Sequence, residues 1–149
     1  MSSNPFDMQL IIDRMKPLEN NPFRVIGSII EYNRITDLSG FTAPAIYIVP
    51  SSEVGKPNSG SGRQRADVLF GAIVVAQNHQ YSSISPLLHE INPLLGLVRE
   101  RLMGWLPPVS GGREVEWVRG DILDYNSSVL VWVEVFRTAH HIGGGNGKT

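Results

Sequence analysis

The apolar residues in the first third of the chain are spaced as in a helix followed by a strand. Between residues 8 and 15 they recur every three or four positions, after the pair Asn4-Pro5, which is typical of a helix N-terminus. The spacing therefore predicts an amphipathic helix that ends near Pro17. The short apolar run 23–26 then predicts an edge strand.

A second helix and a second strand follow, and after them comes a stretch without regular pattern. Residues 28–31 match a capping box, which predicts a short helix over residues 29–36. The β-branched and aromatic run 45–49 predicts a strand that is stopped by Pro50. Residues 51–64 are so rich in Gly, Ser and Pro that we expect a mobile loop, which is a candidate contact arm.

The second half of the chain predicts a central strand, a helical region and a hairpin. Residues 65–77 are apolar at both odd and even positions, as in a strand buried on both faces. A helical stripe runs from residue 84 to residue 102, and Pro93 either kinks this helix or divides it into two. Residues 114–123 and 129–138 are two strand patterns around a short turn, which predicts a terminal β-hairpin.

These elements predict one α+β domain with the order αβαββαββ. We expect a mixed, mainly antiparallel sheet with the helices packed on one face. The domain is predicted to span residues 1–139, and residues 140–149, which are mostly glycine and polar residues after the two histidines, are predicted to form a flexible tail.

Composition narrows the possible classes of protein. The 149 residues suffice for one domain with its own core, and the absence of cysteine excludes disulfides, thiol nucleophiles and thiolate metal sites. A formal net charge of −1 argues against nucleic-acid binding that works by charge alone. No apolar run is long enough to cross a bilayer and the N-terminus lacks a signal-peptide pattern, so we expect synthesis in the cytoplasm and no membrane partner.

The sequence offers no complete catalytic or metal-binding pattern. The Gly-Lys-Thr at residues 147–149 resembles the end of a phosphate-binding loop, but the first glycine of that motif is replaced by Ile142. His89 is best explained as a solvated surface residue, and His140-His141 as the start of the tail, where only adventitious metal binding is expected. The carboxylates of residues 114–124 are better explained as a charged rim than as acid–base groups. We therefore expect no enzyme activity, no cofactor and no metal site.

Arginine dominates the basic residues, with lysine at only three positions, and arginine suits rigid protein–protein contacts. Two groups of charged residues are therefore interface candidates. Strict alternation along the first hairpin strand predicts that its arginine and its central aspartate share one face, with the glutamates on the other. The candidate interface residues are Lys56, Arg63 and Arg65 around the loop, and Arg119 and Asp121 on the hairpin.

Four stretches carry a resemblance to a known family. Residues 43–50 have the form "aPA-x-hVhP", and residues 99–108 close a helix with a Gly-Trp-x-Pro motif. Residues 115–123 then lead to a final strand, 130–136, that contains Trp and Phe. In this order the motifs resemble the tail terminator proteins of long-tailed double-stranded DNA phages and prophages.

The resemblance implies a fold and a role. It implies a small α/β domain that assembles as a hexameric ring on the last ring of the tail tube, stops tube growth and receives the neck or head-completion protein. The implied partners are further copies of the chain, the tail tube protein and the neck protein. A tail sheath protein is an additional candidate partner, and DNA would pass through the lumen without specific binding. The implied location is the neck region of the virion.

Two other functions remain as alternatives. The first alternative to the favoured terminator is a neck or tail-completion connector with a related fold, which joins head to tail without setting tube length, because fold does not determine function. The less favoured alternative is a small enzyme or ligand-binding domain, which predicts a deep pocket with perturbed titratable groups.

Overall fold

The computed structural model describes residues 3–58, 60, 62–78 and 84–143, without the side chains of residues 84–86. Three α-helices, one short 3₁₀ turn and five strands make up this part of the chain. In chain order the elements are α1 (Gln9–Met15), β1 (Val25–Ser28), α2 (Ile29–Asn33), the 3₁₀ turn (Leu38–Gly40), β2 (Ala45–Gly55), β3 (Arg63–Gln77), α3 (Ile84–Leu102), β4 (Glu116–Tyr125) and β5 (Val129–Gly143).

The five strands form one sheet in the order β1-β2-β3-β5-β4. Only β1 and β2 pair in parallel, and the other three pairs are antiparallel. The predicted α+β class, the order αβαββαββ, the mainly antiparallel sheet and the terminal hairpin are thus confirmed. The central position predicted for β3 and the edge position predicted for β1 are confirmed as well.

The main core lies between one face of the sheet and helices α1 and α3. Phe70 of β3 and Phe136 of β5 are directly opposite each other, and their rings stack at 5.5 Å between centroids. Both are fully buried, as are Ile91 and Val98 on the apolar side of α3. Burial of large side chains on this face is the main source of stability.

Helix α2 and the turn after it cover the other face of the sheet. Tyr32 and Phe41 pack with Tyr47 of β2, with ring centroids 5.6 to 6.0 Å apart, above a second apolar cluster. The prediction of helices on one face holds for α1 and α3, whereas α2 lies on the opposite face. At this end the sheet is therefore covered by helices on both faces, because its strands are apolar on both faces here. Ile73 and Val75 of β3 supply apolar side chains to the face that α2 covers.

The predicted loop over residues 51–64 is wrong at both of its ends. Strand β2 continues past Pro50 to Gly55, and β3 begins at Arg63, so only residues 56–62 connect them. Register pairs Ser52 with Leu69 and Gly55 with Ala66. Strand β3, which is long and apolar, supplies residues 52–55 with hydrogen-bond partners that their own composition does not predict. A bulge between Pro50 and Ser52 accommodates the proline.

The predicted tail begins too early. Strand β5 runs to Gly143, and His140 is only 6% exposed. Residues 140–143 pair with the start of β3, from Ala66 to Arg63, and this long-range pairing cannot be read from the local sequence. Residues 144–149 of the predicted tail, including the Gly-Lys-Thr, and His79 lie outside the described residues.

The helix limits also differ from the predictions. Helix α1 begins at Gln9 rather than at Asn4-Pro5, because Phe6 is buried in the core and its N–H donates to Glu53 Oε1 at 3.0 Å. This tertiary contact holds residues 4–7 outside the helix. Helix α3 passes through Pro93 as one helix, which decides between the two alternatives.

The capping box of α2 is confirmed. The Ser28 hydroxyl accepts a hydrogen bond from the N–H of Ile30, and the Glu31 carboxylate accepts one from the N–H of Ser28 at 3.0 Å. The helix is shorter than the predicted 29–36, since it ends at Asn33.

The stacked phenylalanine pair gives a first prediction. We expect Phe136→Ala to lower the free energy of unfolding by about 3 to 5 kcal/mol, because it opens a cavity at the centre of the sheet. Urea denaturation of the purified variant measures this loss. The control is Tyr125→Ala, which removes a side chain that is 57% exposed and should change stability by under about 0.5 kcal/mol. Equal losses for the two variants would contradict the placement of Phe136 in the core.

Candidate interaction surface

Half of the second sheet face is not covered by α2. Gly71 marks its centre, where a Cβ atom would meet Val49 at 3.2 Å and Val133 at 3.1 Å, so these two valines close over the glycine. Leu69 and Val135 continue the apolar strip and are partly exposed. Strips of this kind, ringed by charged residues, are typical of protein interaction surfaces.

Charged residues gather where β2 and β3 meet, at the end of the sheet away from α2. The Asp67 carboxylate accepts a hydrogen bond from Arg65 Nε through Oδ1 at 2.7 Å, and its Oδ2 lies 3.2 Å from Lys56 Nζ. Burial raises the pKa of Asp67, but hydrogen bonds from Arg65 and Lys56 and their positive charges outweigh it, so the net pKa lies below its ordinary value. The Asp67 carboxylate therefore fixes the charged side chains of Lys56 and Arg65 at the surface.

A groove lies beside these residues, between the end of α3 and the start of β4. It has a volume of about 570 Å³, and a smaller depression of about 200 Å³ adjoins it. The apolar walls of the groove include Met103, which is 50% exposed, and Trp117, which is 37% exposed. We call the larger depression, between the end of α3 and the start of β4, the arginine groove. Its charged lining residues are Arg65, Arg113, Glu114 and Glu116, with Asp67 and Arg137 in the adjoining depression.

A second exposed surface lies at the opposite end of β4. Every residue from 121 to 127 is exposed, and three of them are large apolar side chains: Ile122, Leu123 and Tyr125. Asn126 Oδ1 accepts hydrogen bonds from the N–H groups of residues 128 and 129, which defines the turn. We call residues 121–125 the hairpin end.

Bulges in β4 change which side chains share a face. Register shifts lie between Trp117 and Arg119 and between Ile122 and Asp124. Glu116 therefore pairs with Arg137, its Oε1 3.0 Å from Arg137 Nε, on the same face as Arg119 and Asp121. The predicted separation of Glu116 from Arg119 and Asp121 is wrong, because strict alternation does not survive a bulge.

An ion pair with a fully buried carboxylate lies next to Trp117, one of the walls of the groove. Glu134 of β5 is fully buried and pairs with Arg99 of α3, while Trp132 Nε1 donates to Glu134 Oε1 at 2.8 Å. The Arg99 guanidinium also lies 4.5 Å from the centroid of the Trp117 ring. Its hydrogen bond with Glu134 raises the pKa of Arg99, against the smaller effect of burial. Gly120 faces the pair, and a Cβ there would approach Glu134 Oε1 to 2.5 Å.

The histidines are explained by the fold. His140 is buried, and its Nε2 lies 2.8 Å from Oε2 of Glu53. The other oxygen of the Glu53 carboxylate, Oε1, accepts a hydrogen bond from the Phe6 N–H. His140 is thus a structural residue at the end of the core rather than part of a tail, while His89 is exposed as expected. Among the described residues no group of three or more acidic, histidine or cysteine side chains is arranged to hold a metal ion. None of the described helices is both long and apolar enough to span a membrane.

The comparison with known families agrees with the fold. The model of the family described as phage tail terminator protein matches residues 1–147. The chain belongs to this phage tail terminator family. No curated protein matches the chain. Membership makes the chain a structural component of a phage tail and of the virion.

The structure brings most of the predicted interface residues onto one face of the sheet. Register places Arg65, Arg119 and Asp121 on the same face, and Lys56 reaches that face through Asp67. Arg119 Nε and Asp121 Oδ2 are 3.2 Å apart and both side chains are more than half exposed. Arg63 is the first residue of β3, opposite Gly143. Of the predicted arginines, Arg65 thus lines the groove, Arg63 lies near it on β3, and Arg119 lies near the hairpin end.

Sequence reasoning missed several residues of the candidate interaction surface. Arg113 and Arg137 were not singled out as interface candidates, and neither were Met103 and Trp117. The exposed apolar side chains of the hairpin end carried a signal, because Leu123 and Tyr125 lie next to a turn, where polar residues are usual. The groove gave no such signal in the sequence, because it is formed by residues that are distant from one another along the chain.

The ion pair between Arg99 and Glu134 gives a second prediction. We expect Arg99→Met to lower the free energy of unfolding by about 2 to 3 kcal/mol, because it leaves a fully buried carboxylate unpaired. Adding Glu134→Gln should recover part of that loss, so the two changes will not be additive in a double-mutant cycle measured with urea. The control Arg137→Met breaks an exposed pair and should cost under about 1 kcal/mol. Additive losses would show that Arg99 and Glu134 do not interact.

Asp67 gives a third prediction, on pH dependence. Its pKa is lowered in the folded state, so its ion pairs stabilise the fold above the ordinary carboxyl pKa of 3.8 and lose this effect as the pH falls through the lowered value. Asp67→Asn should therefore reduce stability at pH 7 by under about 1 kcal/mol, and the difference from the wild type should vanish well below pH 4. Urea denaturation at both pH values measures this.

The matched control for Asp67 is Asp13→Asn. Asp13 lies 3.9 Å from Lys16 and both side chains are exposed, so we expect no measurable change at pH 7. If Asp67→Asn proves as stable as the wild type at pH 7, Asp67 does not hold Lys56 and Arg65 in solution.

Proposed function

We propose that the chain forms a ring that caps the phage tail tube, stops its growth and offers the attachment surface for the head or neck. The observation that carries the proposal is the match of the terminator family to nearly the entire chain, residues 1–147. The exposed, charged sheet face and the arginine groove support it, because a ring subunit needs surfaces for neighbours on more than one side.

The proposed action follows from how a tube grows. Each ring of tube protein presents a face that templates the next ring, so growth stops when a ring fits the tube below but presents a different face above. A terminator ring supplies this pair of unlike faces. The proposed partners are further copies of the chain in a hexamer, the tube protein, the neck or head-completion protein and, in a contractile tail, the sheath protein. DNA passes through the lumen without specific binding.

Heterologous contacts between subunits close into a ring when the rotation between neighbours returns to the start after six copies. The surface of the chain suits such contacts. Its net charge of −1 means that copies of the chain repel one another little, and its arginine-rich basic residues favour rigid, bidentate contacts.

Deletion of the gene in its phage or prophage tests the proposed function, with tail lengths measured by electron microscopy. We expect abnormally long tubes of variable length that lack heads, and normal lengths when the gene is restored in trans. The matched control restores the gene with Ile30→Ala, a change at a side chain that is 61% exposed on α2.

Two other outcomes would contradict termination. Tails of normal length that fail to join heads would assign the chain to a connector between head and tail. Normal infectious particles would overturn both structural roles and favour an enzyme or binding domain.

A further inference from the structure

We propose that neighbouring copies in the ring contact each other head to tail, with the hairpin end of one copy docked in the arginine groove of the next. This inference rests on the proposed ring and specifies which two surfaces of the chain build it. The two surfaces lie at opposite ends of β4, nine residues apart, which corresponds to about 30 Å along the strand.

The two surfaces are complementary in charge. Five basic side chains lie at or beside the arginine groove and its adjoining depression, three of them in the lining (Arg65, Arg113 and Arg137), against three acidic side chains in the lining. The basic residues are Lys56, Arg63, Arg65, Arg113 and Arg137, and the acidic ones are Asp67, Glu114 and Glu116. The hairpin end carries Asp121, which pairs with Arg119, and Asp124, and the adjoining α2 region adds Glu31 and Asp37 against Arg34. The groove side thus has a net excess of two basic groups and the hairpin side a net excess of two acidic groups, and such pairing steers and orients association.

The two surfaces also match in shape and apolar character. The groove is concave, and Met103 and Trp117 give it apolar walls. The hairpin end is an exposed turn that carries three large apolar side chains within four residues, Ile122, Leu123 and Tyr125. Exposed apolar groups on a projection, beside a groove with apolar walls, are typical of anchor residues and their pocket.

The occupant of the groove is inferred to be a second copy for two reasons. First, the projection that fits the groove is present on the same chain, at the far end of the same strand. Second, neither surface suits itself in net charge, because two groove sides would bring together two net positive surfaces, and two hairpin sides would bring together two net negative ones. Contacts between two different surfaces of identical chains are heterologous, and this is the class of contact that closes rings.

Pairing of sheet edges between copies is less favourable. Strand β4 is an edge strand of ten residues, but two register shifts interrupt it, at Trp117/Arg119 and Ile122/Asp124. Bulges twist an edge away from a straight partner and are a common protection against edge-to-edge pairing. Side chains of the hairpin end, rather than the backbone of β4, therefore make the contact.

The absence of cysteine from the chain makes cross-linking a clean test. One cysteine replaces Leu123 on the hairpin end, where the native leucine is 47% exposed (Leu123→Cys). The other replaces Met103 in the groove, where the native methionine is 50% exposed (Met103→Cys). Tails are purified from phage that carry these variants and treated with a short bis-maleimide. The double variant should give a ladder of cross-linked species up to the full ring on a denaturing gel, and each single variant should give monomers only.

A mixture of the two single variants sharpens the test. Co-expressed in one host, the two single-cysteine chains should give cross-linked dimers and nothing larger, because each chain then has one reactive surface. The matched control is Leu123→Cys combined with Ile30→Cys, which is exposed on α2 away from the groove and should give no ladder. Tyr125→Cys with Met103→Cys is a second pair for use if Leu123→Cys lowers the yield of tails.

The remaining outcomes separate this inference from the proposed function. Dimers from a single variant alone would show a symmetric contact and overturn the head-to-tail arrangement. Tails that contain the double variants and have normal length, but give no ladder from either pair, would overturn this inference and leave termination intact. Absence of the chain from purified tails would overturn the proposed ring and this inference together.

Discussion

The pairing of β3 with β5 is the constraint on which the rest of the structure depends. Fifteen residues of each strand are in register, from Arg63 opposite Gly143 to Gln77 opposite Val129. A slip of one residue would move every side chain to the other face of the sheet. The same register that stacks Phe70 on Phe136 in the core also brings Glu134 to Arg99, so the core and this ion pair are set together.

The exposed surfaces follow from how unevenly the helices cover this sheet. Helices α1 and α3 cover one face, whereas the other is covered by α2 only around Tyr47 and Val75. The strands extend beyond this cover, so their far ends present an apolar strip beside Gly71 and paired charges around Asp67. The bare part of the sheet is a surface that neighbouring subunits would cover in the proposed ring.

The sequence was a good guide where short-range patterns decide. The capping box at Ser28 and the continuous helical stripe of α3 needed only neighbouring residues, and the family resemblance rested on short motifs that the family match confirmed. It was a poor guide where distant strands decide, because residues 51–55 and 140–143 have loop-like or tail-like composition but find partners on β3. Of the candidate surface, the sequence pointed to Lys56, Arg65, Arg119 and Asp121, but not to Arg113, Arg137, the groove or the apolar projection.

By itself, then, the sequence determined the class of fold, the order of the elements and the family, since hydrophobic periodicity and short motifs are properties of contiguous residues. The tertiary structure alone decided where strands end, that Phe6 leaves the first helix to reach Glu53, and which charges share a face after the bulges in β4. The reason is physical: strand limits and bulges depend on hydrogen-bond partners many residues away, and a surface groove is formed by segments that meet only when the sheet is assembled.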